Sequence, residues 1–274
     1  MIVNAGYRGK VGAGAPKFTY TGNYNVRDDG VVELLTSGTI TFLNPVVIDI
    51  FCVGGGGAGR FTSYFNERGY GGGGGGYTKT VKKINASNSY QITIGEGATP
   101  TKQTGLGPRG GTTSFGNLVS AEGGYSGTST GYMTDGGAGG SGGGGGVASN
   151  SDYGVGGTDG GNGEAGYGVV GNLNGGAGQA TTTREFGEEN GKLYAGGGGG
   201  GRYMVSSTPV VSMGGAGGGG AGAWAGNVYG VYQNAGAGGA NTGGGGGGGA
   251  IGPGNPVGQP GSGGSGICCL RVAK

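Results

Sequence analysis

Apolar residues cluster in short β-type runs in the first half of the chain and again at its C-terminus, and nowhere at a helical period. Val46–Val53 reads V-V-I-D-I-F-C-V, a nearly continuous β-branched and apolar run of the kind that suits a strand covered on both faces. Residues 77–84 alternate, with Tyr77, Lys79 and Val81 on one side and Thr78, Thr80 and Lys82 on the other. In 90–94, Tyr90, Ile92 and Ile94 share a face before Gly95-Glu96-Gly97 ends the run. Shorter strands are expected at 31–35, 39–43, 112–115, 118–121 and 267–272. Apolar residues at i, i+3, i+4 and i+7 over three turns never occur without a glycine between them, so almost no α-helix is expected.

A terminal strand is stable only when paired. The last run, I-C-C-L-R-V, is therefore expected to return to the sheet that holds Val46–Val53. The chain then divides into an N-terminal arm or attachment segment at 1–29, a β-sandwich at 30–122 plus 266–274, and an insertion at 123–265.

Glycine fills that insertion. It supplies 85 of the 274 residues, with uninterrupted runs at 54–57, 71–76, 142–146, 196–201, 217–220 and 243–249. Each glycine loses about 0.5–1 kcal/mol more than alanine when it is ordered, so such a composition describes a flexible linker unless something specific holds the backbone. The physical candidate is the polyglycine form of the left-handed extended helix, with three residues per turn and no internal hydrogen bonds. Every N–H and C=O must then find a partner on a neighbouring segment. Such a bundle admits side chains only every third residue, where a rod faces outward. Ala138, Ser141 and Val147 keep that register, as do Asn174, Ala177 and Ala180, and Ser262, Ser265 and Cys268, whereas Ala216 and Ala221 break it. Gly73, Gly144, Gly198 and Gly246 lie inside runs and are the expected structural positions. Collagen is excluded, since there is no sustained Gly-X-Y repeat and only eight prolines.

The series Tyr20-Thr21-Gly22 to Asp28-Asp29-Gly30, Leu34-Leu35-Thr36-Ser37-Gly38-Thr39 and Val47-Ile48-Asp49-Ile50-Phe51-Cys52-Val53 followed by four glycines resembles the glycine-rich domain of bacteriophage and prophage tail proteins, particularly from Gram-positive hosts. Five glycines before Tyr77-Thr78-Lys79, the stretch Tyr90-Gln91-Ile92-Thr93-Ile94-Gly95-Glu96-Gly97, Gly110-Gly111-Thr112-Thr113-Ser114-Phe115-Gly116 and the closing Gly266-Ile267-Cys268-Cys269-Leu270 continue the likeness over about residues 18–274. The chain is also similar to the glycine-rich region of anaplastic lymphoma kinase-type receptors, where polyglycine rods are inserted in a TNF-like jelly roll, and to the polyglycine adhesins of T-even-like phage tail fibres. The resemblance implies an all-β fold with polyglycine II: a TNF-like jelly-roll β-sandwich carrying an inserted bundle of left-handed polyglycine helices. It implies a bacterial cell-surface glycan or protein receptor and other tail or fibre proteins as partners, admits a homotrimer, and places the protein in a virion tail or tail-like particle. Cys268 and Cys269 stand where the family's closing strand carries aliphatic residues.

The residues themselves exclude much chemistry. With no histidine, His-based triads and His metal ligands are impossible. Asp28-Asp29 and Glu188-Glu189 sit in polar, turn-like sequence and read as solvated turns rather than as a glycosidase pair. The P-loop pattern fails, because Leu193 follows Gly191-Lys192 and Phe186 stands at the required earlier glycine. Cys52, Cys268 and Cys269 read as reduced, packed thiols, with a bridge from Cys52 to Cys268 or Cys269 as the sharper alternative. Net charge is +2, and the one cationic cluster, Lys79, Lys82 and Lys83, reads as a solvated strand face, so nucleic acid is not an expected partner. Neither a secretory signal nor an apolar run of membrane-spanning length is found, so synthesis in the host cytoplasm without membrane insertion is expected. No cofactor and no enzymatic activity are expected.

The aromatic residues remain. Tyr64, Tyr70, Tyr125, Tyr132, Tyr153, Tyr167, Tyr194, Tyr203, Trp224, Tyr229 and Tyr232 stand between glycine runs, where they either cap the rod ends or form recognition loops on a rigid scaffold. The candidate receptor-binding residues are Trp224, Tyr229, Tyr232, Tyr203, Tyr125, Tyr132 and Tyr153. The expected function is a non-enzymatic tail-fibre or tail-tip protein that displays variable loops for host attachment. An ice-binding protein with a flat Ala/Ser/Thr face is the alternative, although the irregular stretches 180–194 and 203–213 do not suit a regular face. A polysaccharide depolymerase lacks an acid pair.

Overall fold

The computed structural model describes residues 15–61, 68–102, 105–129, 135–146, 183–203, 211–226, 231–252 and 257–274. Among the described residues the chain is all-β, with no α-helix and a 3-10 turn at Glu185–Gly187. The sandwich strands are β1 (Phe18–Tyr20), β2 (Tyr24–Val26), β3 (Val32–Leu34), β4 (Gly38–Phe42), β5 (Val46–Val53), β6 (Thr78–Ala86), β7 (Ser89–Thr93), β8 (Thr113–Phe115), β9 (Val119–Ala121) and β10 (Ile267–Val272). They pair as two five-stranded antiparallel sheets, in the orders β1-β4-β7-β8-β9 and β2-β3-β10-β5-β6. Ile40, Phe42, Ile92 and Phe115 of the first meet Leu34, Ile50, Cys52 and Leu270 of the second in one core. The closing strand lies against β5 over its whole length, Ile267 opposite Val53 and Val272 opposite Ile48. Within the stretch read as an arm, the described residues from 15 onward contribute β1 and β2, because Phe18, Tyr20, Tyr24 and Val26 pack on the sandwich core as its edge.

From Ile48 onward the apolar run of β5 is buried on both faces, as its composition requires. Ile48, Ile50 and Cys52 face the inner core, while Phe51 and Val53 form a second cluster with Ile267, Cys269, Phe186, Tyr194 and Ala195 on the outer face. Burying a side chain such as Phe51 contributes about 2–3 kcal/mol. Asp49, the one charge in the run, is nearly buried and is met on each side: Lys83 N–H donates to Oδ1 at 3.0 Å, and Arg271 Nε and Nη2 donate to Oδ2 at 3.2 Å. The pairing of β5 and β6 slips between Ile48 and Ile50, opposite Lys83 at φ 55°. The cysteines are free and buried, with Cys52 and Cys268 opposite each other at 3.4 Å between sulfurs and Cys269 turned to the outer face beside the Tyr194 hydroxyl. Burial pushes the Cys268 and Cys269 thiols well above the ordinary range.

The glycine segments carry no ladder of the usual kind; their hydrogen bonds are lateral and rotate from neighbour to neighbour. In the run from Tyr70 to Tyr77, the N–H groups of Gly72 and Gly75 donate to Gly144 and Ser141, those of Gly73 and Gly76 to Gly246 and Gly243, and those of Gly74 and Tyr77 to Tyr125 and Glu122. Its carbonyls accept in the same rotation: Gly72 and Gly75 from Gly137 and Gly140, Tyr70 and Gly73 from Gly201 and Gly198, and Gly71, Gly74 and Tyr77 from Arg60, Gly57 and Gly54. Every third residue turns to the same neighbour, and the run is enclosed by six segments. Those six also bond to one another around the ring, through Gly124 to Gly55, Gly246 to Gly57, Gly245 to Gly196, Gly144 to Gly198, Gly143 to Gly137 and Tyr125 to Ala138. Enclosure on all sides leaves no room for a side chain. A Cβ on Gly73 would stand 2.2 Å from the Gly57 carbonyl oxygen, and one on Gly246 would stand 2.1 Å from that of Gly261. Gly73, Gly144, Gly198 and Gly246 fall in one continuous series of these bonds. Because 54–60 and 70–77 take part, the bundle begins well before residue 123, where the insertion was expected to start.

Candidate recognition surface

The bundle has a near and a far end. At the near end Gly54 N–H donates to Tyr77 O beside the sandwich strands; at the far end Arg60, Gly71, Tyr70, Gly201 and Gly249 meet. Past that level Arg202–Tyr203, Trp224–Ala225 and Tyr232–Gln233 form short strands, paired parallel and then antiparallel, next to a second small sheet of Arg68–Gly69, Ala250–Ile251 and Val257–Gly258.

The pleat sorts this ribbon. Arg202, Trp224 and Gln233 are in register on one face, and Tyr203, Ala225 and Tyr232 on the other. Trp224 Nε1–H donates to Gln233 Oε1 at 2.8 Å, which holds the half-buried indole in place. Ala225 is buried against Ala223 and Ala250, while Tyr232 is 49% exposed and Val231 43%. Trp224, Tyr203 and Tyr232 thus share one ribbon at the far end but not one face. The ribbon offers partly exposed rings beside amide and hydroxyl groups, an arrangement suited to stacking and hydrogen bonding rather than to bond making.

Tyr125 belongs elsewhere. Its backbone pairs with Arg109 midway along the bundle, and its ring lies under the Arg109 guanidinium at 4.4 Å from the centroid. Arg109 also reaches the Gly123 carbonyl at 2.7 Å and the Glu122 carboxylate. Tyr132, Tyr153 and Tyr229 lie outside the described residues. Tyr70 and Tyr194 are fully buried, the first against Phe61 and the second against Phe51, so these two cap and pack. Lys79, Lys82 and Lys83 are exposed.

Sequence reasoning passed over Gln233, Glu33, Glu185 and Arg60, and it read Asp29 and Glu188 as solvated turns, whereas they pair with Arg27 and Arg271. Gln233 carries no signal of its own until Trp224 is placed beside it. Glu185, Glu188, Asp29 and Glu33 belong to a clasp on the outer face of the second sheet: Arg27 pairs with Asp29, Glu33 and Glu185, and Arg271 with Asp49 and Glu188. The acidic stretch at 188–189, read as a solvated turn, is half engaged: Glu188 bonds Arg271 and Glu189 stays exposed. Phe186 completes the clasp at φ 54°, stacked under Arg271 at 4.1 Å. Arg60, the only charge in 54–61, is 1% exposed, and its Nη1 donates to Thr101 Oγ1 at 3.1 Å. Desolvation pulls its pKa below the usual arginine value. Among the described residues no group of His, Cys, Asp and Glu could hold a metal ion, and no helix is long and apolar enough to cross a membrane.

No curated protein matches the chain. The profile of the family described as Glycine-rich domain matches residues 35–273. That span takes in every sandwich strand from β4 onward together with all the glycine segments of the bundle, so the chain belongs to the glycine-rich domain family.

Proposed function

We propose that the protein is a non-enzymatic receptor-binding component of a phage or prophage tail, in which a polyglycine II-type bundle, inserted in a jelly-roll sandwich, holds loops against a bacterial surface. The observation that carries the reading is the enclosure of 70–77 by six hydrogen-bonded segments, with donors and acceptors rotating every third residue. A threefold rotation is that of the polyglycine II helix, and a fully enclosed rod is a stiff support. The aromatic ribbon of Tyr203, Trp224 and Tyr232 stands at the far end of that support, remote from the sandwich. Rigid aromatic side chains present wide contact area at small entropic cost, and their faces stack on sugar rings. The sandwich then serves as the side that joins other tail or fibre proteins.

The test is binding of labelled full-length protein to a panel of intact Gram-positive bacteria and their purified surface glycans, with circular dichroism recorded in parallel. The double variant Trp224→Ala, Tyr232→Ala is expected to bind at least about tenfold more weakly with its fold intact. No binding by the wild type across the panel, or undiminished binding by the variant, would count against the proposal. Joint loss of fold and binding would make the ribbon a packing device.

A further inference from the structure

Among the described residues Arg60 is a charge without a counter-charge. It is 1% exposed, and its Nε and Nη2 have no hydrogen-bond partner among them. Only Nη1 is engaged, by the hydroxyl of Thr101 at 3.1 Å and its carbonyl at 3.5 Å. Among the described residues no carboxylate forms an ion pair with it. A lysine so placed would shed its proton, but a guanidinium does not. Burying an unpaired charge is among the costliest arrangements a fold can hold, so the missing partner is the informative feature.

The two unpartnered nitrogens lie along one edge of the planar guanidinium. Their N–H bonds run parallel, and this edge is the one that grips two oxygens of a single oxyanion. The other edge is held in place. Thr101 holds Nη1, and Gly107 leaves space for it, since a Cβ there would stand 3.3 Å from Nη1 and 2.5 Å from the Ser126 Cβ. Thr101 is half-buried and Lys102 exposed, so the Nη1 edge of the guanidinium lies close to the surface at the far end of the bundle. Lys102 adds a second positive charge on that surface, with its Nζ 5.8 Å from the centre of the Phe61 ring.

We propose that Arg60 forms the floor of an oxyanion site at the far end of the bundle, gripping a carboxylate or phosphate-type group side-on through Nε and Nη2 while Thr101 holds the opposite edge. The proposal does not depend on the receptor reading, because it rests on this arginine alone and not on the aromatic ribbon.

The test uses the full chain at neutral pH and constant ionic strength, with sodium chloride as reference and either inorganic phosphate or glucuronate as probe. The expected result is a saturable rise in melting temperature with at least one probe. The stronger probe tells a phosphate from a carboxylated sugar. In Arg60→Lys, where the buried amine sheds its proton and both the charge and the fork are lost, affinity should fall at least about tenfold. Since that variant alters a buried position, a second measurement uses the wild type: the Arg60 Nε–H resonance in a 1H–15N spectrum should move with the same saturation curve. No rise above chloride, a rise equal in Arg60→Lys, or an unmoved Arg60 resonance would each overturn the site.

Discussion

Arg27 and Glu185 stand 158 residues apart in the chain and are joined by a two-bond fork, Nη1 to Oε1 at 2.8 Å and Nη2 to Oε2 at 2.7 Å. Through it the edge of the second sheet grips the segment 183–195, which carries Phe186 and Tyr194 over the outer face of β5. The clasp therefore ties the glycine-rich insertion back to the sandwich.

Removing one partner tests the clasp. Arg27→Ala leaves the Glu185 carboxylate, only 6% exposed, with the Tyr194 hydroxyl at 3.3 Å as its remaining described partner. Breaking a buried pair in this way costs about 3–5 kcal/mol, and the partial exposure of Arg27 brings the expectation to about 2–4 kcal/mol. Urea denaturation of variant and wild type measures it, and a loss under about 1 kcal/mol would show the fork to be ornamental.

Enclosed glycines admit not even a methyl group. Gly73→Ala and Gly246→Ala each place a Cβ near 2 Å from a backbone oxygen, at 2.2 Å and 2.1 Å. Both are expected to lose more than about 4 kcal/mol or to fail to fold. Gly226→Ala is the control, since its nearest neighbour to a new Cβ is 3.2 Å away at the Val231 carbonyl. Thermal melts of the three variants decide the matter: equal melting temperatures would remove the interior placement of the two runs.

Acid should loosen the clasp before it reaches the core. The Arg271 hydrogen bond to Glu188, at 2.6 Å, holds that carboxyl below the usual range. A depressed folded pKa stabilises the fold above the unfolded value of about 4.3, and that contribution is lost as the pH falls through the lower folded value. Glu188 is 41% exposed, so solvent screening keeps the effect under about 1 kcal/mol. Denaturation midpoints between pH 7 and pH 3 should fall less steeply for Glu188→Gln than for the wild type. Identical pH profiles would mean that the pair contributes nothing.

The sequence by itself determined the strands and the need for lateral order. The run V-V-I-D-I-F-C-V requires cover on both faces, and the structure supplies it from Phe186 and Tyr194, residues whose sequence signal was only that of a loop. The pairing of β10 with β5 followed from the instability of a lone terminal strand. Glycine in long runs dictated that backbone groups find partners outside their own segment, since a polyglycine chain has none within it. Tertiary structure alone decided which segments meet, because one glycine run is chemically identical to the next and nothing local distinguishes Gly246 from Gly144 as a neighbour of the 70–77 run. It also decided that β1 and β2 belong to the sandwich, that Trp224 faces away from Tyr203 and Tyr232, and that Arg60 is buried with no counter-charge among the described residues. Those outcomes depend on pleat, register and enclosure, which arise between segments far apart in the chain and leave no periodic mark within any one of them.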